Sequence, residues 1–448
     1  MANLNPKIFK AYDVRGIYPD ELNPETSYVV GQGYAQLTKT KKIVVGRDMR
    51  IGSPKLAERF MAGAASQGVE IHDLGQVPID MVYFATGHFK YDGGVMITAS
   101  HNPKEYNGIK MTVFRDGLRI VRGQEVYEYI KDREFAMTVP GKISPKDFWP
   151  DYLKHIFAFT EISKIKPFKI VVDAGNGMAG KVMPLIFEKL PCQLIPINFE
   201  LDGNFPAHPS NPLLPESQTQ IKAKVLETKA DFGVIMDGDT DRLFFVTEKG
   251  EFVRADTTLL VLAKYFLERN PGAGIAYNAI CSKAVPQRIK EWGGRPIRTA
   301  VGFVNVANGL RDHNGIMGGE VSAHYSFRDN FYADSGFISF LILLMLISQE
   351  GKKLSEIIVG LNPYFRADET NIVVKNIPEV IQAVKIKYQD GRQDELDGVT
   401  IEYPDWWVNV RPSNTEPLLR ITVEGDTQKI LSDKHKEVID FIKSVAIS

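Results

Sequence analysis

Three stretches of this chain follow one outline, and a chain that repeats a strand, helix, strand unit is committed to helix-covered parallel sheets. The first runs from "KKIVVGRD" (41–48) through "SPKLAERFMAGAASQG" to "VEIHDLG". The second runs from "FKIVVDAGNG" (168–177) through "KVMPLIFEKL" to "QLIPINF". The third runs from "GIAYNAICS" (274–282) through "KAVPQRIKEWGG" to "RPIRTAVG". Each is followed by a glycine, a brief apolar strand and a polar loop: "GVMITASHNP" (94–103), "GVIMDGDTDR" (233–242) and "GIMGGEVSAH" (315–324). Ser100, the aspartates at 237, 239 and 241, and Glu320 therefore occupy matching places. Ligands of open α/β sheets gather beyond the C-terminal ends of the strands. Three related domains thus aim three loops at one cleft.

From about residue 366 the pattern changes. "TNIVVKN", "GVTIEYPDWWVNVRPS" and "LLRITVEG" read as antiparallel strands, with helical "PEVIQAVKIKYQD" and "DKHKEVIDFIKSVA" between and after them. The predicted fold class is α/β: three related α/β domains with mixed sheets, and a smaller α+β C-terminal domain, around a central cleft. The predicted boundaries are 1–150, 151–253, 254–365 and 366–448, with "YFRADET" (364–370) as the last linker.

Composition narrows the function classes. A chain of 448 residues exceeds what one core supports. A net charge of −1 offers no general attraction to nucleic acid or acidic membranes, so neither is an expected partner. Two cysteines, Cys192 and Cys281, in no metal or redox spacing suit a reducing compartment. The start "MANLNPKIFKAYDVRG" lacks a signal peptide's apolar segment. The strongest apolar run, "FISFLILLMLIS" (337–348), falls short of the ~20 residues of a membrane span and reads as a buried core helix. A cytoplasmic protein is expected.

Four loops carry chemistry, and each has a plainer reading. Ser100 follows a buried strand over 95–99; alone it is a turn former or a nucleophile. Asp237, Asp239 and Asp241 alternate in "DGDTDRL", where carboxylates repel unless a hard cation such as Mg²⁺ sits among them; a solvated acidic turn is the alternative. An EF-hand is excluded because its sixth position, which needs glycine, is Arg242. Arg242 beside the metal would contact a phosphate or offset the carboxylates. Glu320, Ser322 and His324 suit a sugar's hydroxyls, or line an edge strand. Arg411, Ser413, Asn414 and Thr415 form a predicted turn before a strand carrying Arg420, a phosphate clamp or a simple turn.

One competing motif is Gly175, Gly177 and Gly180 in dinucleotide spacing, with Glu200 twenty residues beyond. It would make the chain a nicotinamide-type oxidoreductase, but it leaves Ser100 and the aspartates unused. A P-loop fails at Val182, where Ser or Thr must hold Mg²⁺. The four loops together describe phosphoryl transfer on a sugar phosphate, with the phosphoryl group carried by the protein itself. A silent sugar-phosphate binder would need neither Ser100 nor the aspartates.

"TASHNPKEYNGIK", "DGDTDR", "GEVSAH" and "RPSNTEP", in that order, resemble the α-D-phosphohexomutases, and "KAYDVRGIYPDEL" resembles their phosphomannomutase/phosphoglucomutase branch. The resemblance implies that Ser100 is a phosphoserine and that Asp237, Asp239 and Asp241 bind Mg²⁺ with help from its phosphate. It implies that Arg15, His101 and Lys110 surround the reacting group, with Arg242 close by and Lys110 or His101 as general base. Glu320 and Ser322 would read the sugar's O3 and O4, with His324 nearby, and the Arg411–Thr415 loop would hold the unreactive phosphate. The implied reaction interconverts hexose 1- and 6-phosphates through a hexose 1,6-bisphosphate, with mannose favoured and glucose accepted. Phosphoglucosamine is the alternative within the family; its pattern "GEQSGH" differs at Val321 and Ala323. Two departures stand out. Ala323 replaces a usual glycine, and Phe303 stands where a basic or imidazole group is expected, with His313 or Lys283 as substitutes.

Overall fold

The computed structural model describes residues 4–413 and 418–446. Its first three sheets share one strand order, which makes the sequence repeat a structural one. In the first, Tyr106–Phe114, Gly93–Ile97, Lys42–Arg47 and Glu70–Gln76 lie side by side. In the second the order is Leu243–Thr247, Phe232–Met236, Lys169–Asp173, Gln193–Ile197. In the third it is Tyr325–Phe327, Gly315–Gly319, Gly274–Asn278, Arg295–Thr299. In each, the last three of these strands are mutually parallel and the first, the hairpin strand, is antiparallel, giving mixed sheets. The first sheet adds Val14–Ile17, Leu118–Val121 and Ile143–Pro145 at its margins.

The strand before each functional loop is the second in that order and is buried along its whole length. Helices cover both faces of such a strand, so it reads as an unbroken apolar run. The serine strand ends at Ile97 rather than Ala99: Thr98 still donates its N–H to the Gly108 carbonyl, but the Ser100 N–H is taken by the Thr98 side chain and the backbone turns left-handed there. Lys110 lies opposite Met96 on the hairpin strand, so the chain reversal returns a cation beside the serine loop.

One apolar core joins the first three sheets, and helix Gly336–Glu350 runs through it with residues 336–348 buried. Among the described residues no helix is long and apolar enough to cross a membrane. The C-terminal sheet is wholly antiparallel, backed by Ile377–Lys387 and Gln428–Ala446, and keeps a core of its own. It meets the third sheet through polar contacts: Arg298 to Asp394 at 3.0 Å, and the Val301 N–H donating to Asp397 at 2.7 Å.

The glycines of "GNGMAG" are filled by protein. A Cβ on Gly177 would lie 2.9 Å from the Gly238 backbone, and one on Gly180 would lie 2.2 Å from the Phe199 carbonyl. The Met178 N–H also donates to the Gly238 carbonyl at 2.9 Å. The loop braces the aspartate loop from behind and leaves no approach for a pyrophosphate, which removes the dinucleotide reading. Gly177→Ala is expected to destabilise the chain by ~1–3 kcal/mol through overpacking, read by thermal melting. Equilibrium dialysis of the parent protein should find no saturable NAD(H) binding.

Candidate active site

All three matched loops turn through a left-handed residue that is not glycine. Ser100 has φ 51°, Thr240 has φ 73° and Ala323 has φ 67°. Such residues cost ~1–2 kcal/mol each and persist only where surrounding contacts hold them. At Ser100 the Thr98 Oγ1 accepts the serine N–H at 2.9 Å, and the Ala99 carbonyl accepts the Asn102 N–H at 3.0 Å. In this turn the Ser100 Oγ donates to Asp237 Oδ2 at 2.7 Å and lies 3.2 Å from His101 Nδ1. Arg15, paired with Gly108 across the first sheet, donates to the Asn102 side chain at 2.7 Å and pairs with Asp13.

Asp237, Asp239 and Asp241 are buried, and their nearest oxygens lie within 4.8 Å of one another. Burial and its two neighbours push the Asp237 carboxyl well above the usual carboxylate range. Burial works against the charge of Asp241 as well, but Lys110, His324 and Arg242 outweigh it and hold that carboxyl well below the usual range. Lys110 Nζ bridges Asp239 at 2.8 Å and Asp241 at 2.7 Å, and these partners overcome its burial to raise its pKa. Burial, with Arg242 and Arg15 close by, drives the His101 pKa far down, so its imidazole is neutral. Asp239 Oδ1 and Asp241 Oδ1 are buried without a hydrogen-bond donor. Orphaned hard oxygens at this spacing fit a small divalent cation.

The loop carrying Glu320, Ser322 and His324 joins this cluster directly. Glu320 Oε2 accepts from Asn278 Nδ2 and from the Gly302 N–H, both at 3.1 Å, and Oε1 accepts from the Ser322 hydroxyl and His324 Nδ1. Although burial opposes its charge, donors from His324 and Ser322 lower the Glu320 pKa to about 2. His324 Nε2 stands 3.4 Å from Asp241 Oδ1, and that charge overrides burial to raise the imidazole to about 10. Arg242 and His324 also pair through their backbones, and Arg242 Nε lies 3.9 Å from Asp237.

The fourth group stands apart. Arg411 lies within strand Trp406–Pro412 rather than in a turn, directly opposite Arg420 on Leu418–Gly425. Like charges in that register repel, and Glu369 offsets them, accepting from Arg411 at 2.8 Å and Arg420 at 3.2 Å. Arg420 also reaches the Ser413 hydroxyl at 3.5 Å. Asn414 and Thr415 lie outside the described residues.

The chain matches the four domain descriptions of phosphoglucomutase/phosphomannomutase: α/β/α domain I at residues 6–137, domain II at 150–250, domain III at 254–364 and the C-terminal domain at 365–441. The chain belongs to the phosphoglucomutase/phosphomannomutase family. Curated family members include "phosphohexose mutases" of Xanthomonas campestris, 36% identical over 97% of this chain and 99% of the relative. The phosphomannomutase/phosphoglucomutase of Pseudomonas aeruginosa is 35% identical over 96% of this chain and 94% of its own length. A crystal structure of a family protein from Burkholderia thailandensis superposes with a TM-score of 0.89 at 30% identity, covering 99% of both chains.

The two departures from the family pattern now have a geometry. Ala323 sits at a left-handed position, which is why glycine suits it; the alanine keeps the turn and leaves Glu320 in place. Phe303 stacks on the His324 ring with centroids 5.1 Å apart and planes at 28°. His313 caps the far end of helix Phe303–Asp312, and Lys283 pairs with Asp426 beneath the Tyr364 ring. Sequence reading also missed Glu369 and Arg50, a buried side chain behind the serine loop. Arg50 follows a repeat strand at its ligand-collecting end, and that signal was available. Glu369 had none, since only the sheet brings it to Arg411.

The Glu320–His324 pair predicts a pH signature. The Glu320 pKa is depressed, so its contribution holds above pH 4.5 and is lost as pH falls through about 2. The His324 pKa is raised, so its contribution is full below pH 6.5 and lost as pH rises through about 10. In melting curves, the stability gap between the parent and His324→Gln should be largest at and below pH 6.5 and should close toward about 10.

Proposed function

We propose that this chain interconverts mannose 1-phosphate and mannose 6-phosphate through a phosphoserine at Ser100 and a hexose 1,6-bisphosphate, and that it also accepts glucose phosphates. The observation that carries this reading is Ser100 Oγ, held in a left-handed turn 2.7 Å from a buried aspartate triad. Each of the four predicted domains supplies one loop: 1–150 the serine, 151–253 the metal ligands, 254–365 the sugar contacts and 366–448 the phosphate clamp. The names of the relatives support mannose and glucose phosphates as the substrate pair. None of the assigned contacts reads C2, the one centre at which the two sugars differ. Two free cysteines, Cys192 and Cys281, suit a cytoplasmic setting.

Asp237, Asp239 and Asp241, with an oxygen of the Ser100 phosphate, would hold Mg²⁺, which supplies charge neutralisation at the transferring group. The chain's own residues do the rest. Arg15 and Arg242 neutralise the phosphoryl oxygens. Glu320, Ser322 and His324 hold the sugar by its hydroxyls, and Arg411, Ser413, Asn414, Thr415 and Arg420 hold the phosphate that is not reacting. The Ser100 Oγ–P bond breaks as the sugar's free O6 or O1 bonds to phosphorus in line, and the hydroxyl proton passes to the neutral His101; Lys110, expected beside it as a candidate base, is held protonated between Asp239 and Asp241 and serves as a fixed positive charge. The bisphosphate then turns end for end, and its other phosphate returns to Ser100.

Ser100→Ala is expected to abolish turnover, followed by phosphorus NMR on mannose 1-phosphate and glucose 1-phosphate, while substrate binding stays largely intact. Near-normal turnover would remove Ser100 from the mechanism. Arg411→Ala removes a charge-assisted contact of ~1.5–3 kcal/mol and should raise the apparent KM by about tenfold or more. An unchanged KM would remove the clamp.

A further inference from the structure

Arg50 is almost completely buried and spends its guanidinium on backbone carbonyls. Its Nη1 donates to the carbonyls of Pro103 at 2.8 Å and Tyr106 at 3.0 Å. Its Nη2 donates to those of Ser100 at 2.8 Å and Asn102 at 2.7 Å. Four carbonyls of one seven-residue loop therefore converge on a single cation. Asp48 Oδ2 stands 3.3 Å from Nε, and the Phe205 ring lies 4.8 Å from the guanidinium carbon on its other side. Phe205 comes from the second unit, as does Ser210, whose hydroxyl donates to the same Ser100 carbonyl at 3.1 Å. The approach is close: a Cβ on Gly203 would meet the Arg50 Cα at 2.8 Å, and one on Gly238 would meet the Ser100 carbonyl at 2.8 Å.

We propose that Arg50 is a positioning residue for phosphoryl transfer, holding the serine loop from behind so that Ser100 Oγ points at the reacting phosphorus. The inference rests on the reading of Ser100 as the phosphoryl carrier. Two physical effects support it. A left-handed serine is disfavoured by itself, and the charge-assisted bonds fix the peptide plane that follows Ser100 and the one that leaves the loop after Asn102. A phosphoserine carries nearly two negative charges at pH 7, and turning four carbonyl dipoles onto Arg50 removes their oxygens from the side where that charge develops. The same bonds position Arg15, because the Asn102 carbonyl binds Arg50 while its side chain binds Arg15. A lysine offers three donors from one point and cannot span four carbonyls as the planar fork does.

The test compares the parent chain with Arg50→Lys. Steady-state kinetics on mannose 1-phosphate would be read beside the rate at which glucose 1,6-bisphosphate phosphorylates Ser100, followed by intact mass. The expected result is a kcat lowered between about tenfold and a hundredfold, with KM kept, and a phosphorylation rate lowered by the same factor. The phosphorus resonance of the phosphoserine should shift with it. A variant that melts earlier but turns over at the parent's rate would overturn the proposal, leaving Arg50 a purely structural group. If Arg50→Lys does not fold, Asp48→Asn, which keeps the guanidinium but loosens its seat, should give the same kcat-selective loss; unchanged kcat there would also overturn it. A parent chain that takes no phosphate at Ser100 would overturn the phosphoserine reading itself.

Discussion

The architecture depends on one electrostatic constraint: three aspartates are buried side by side, and no residue of their own loop neutralises them fully. Lys110 arrives from the first sheet and His324 from the third, each within ion-pair distance of Asp241. Arg242, in the aspartate loop itself, reaches Asp237 only at 3.9 Å. Uncompensated charge at this depth would cost several kcal/mol per ion. Closure of the three domains on one another is therefore part of what makes the acidic loop tolerable. Lys110 and His324, named from the sequence as site residues, are thus also residues that hold the domains together.

That economy explains the strained turns. Ser100, Thr240 and Ala323 lie in the corresponding loops of three related units, and each leaves the favoured backbone region. The left-handed corner turns the chain sharply at the end of a buried strand, so the side chains around it face the neighbouring units instead of their own helices. At Ser100 the turn is held from one side by Thr98 and Arg50 and from the other by Ser210. The serine is therefore preorganised by two domains at once.

The C-terminal domain obeys a different rule. It keeps its own core and touches the third sheet through charged and polar pairs such as Arg298–Asp394. Interfaces of that kind cost less to open than a shared apolar core. The Arg411–Arg420 pair thus sits on a domain joined to the third sheet across polar contacts. Glu369, accepting from both Arg411 and Arg420, is what lets these two like charges face each other across the sheet.

Much was legible in the chain before any coordinates. Period-two and buried-strand patterns, punctuated by glycine and polar loops, carried the threefold repeat, the change of style near 366 and the loops bearing Ser100, the aspartates and Glu320. These are local properties, and adjacent residues encode them. The glycine triplet from 175 to 180 offers a competing reading because a bracing loop and a pyrophosphate loop need the same small residues; locally, it is the packing of Gly177 on Gly238 that separates them. That the Phe303 ring packs on His324 is likewise invisible in the sequence, where the two lie twenty-one residues apart. Arg50 and Glu369 act on partners 50 and 42 residues away. The sequence by itself determined the elements, their repetition and the inventory of chemical groups. Only the tertiary structure decided which groups share a charge, because burial and ion pairing arise between segments and no local pattern records them.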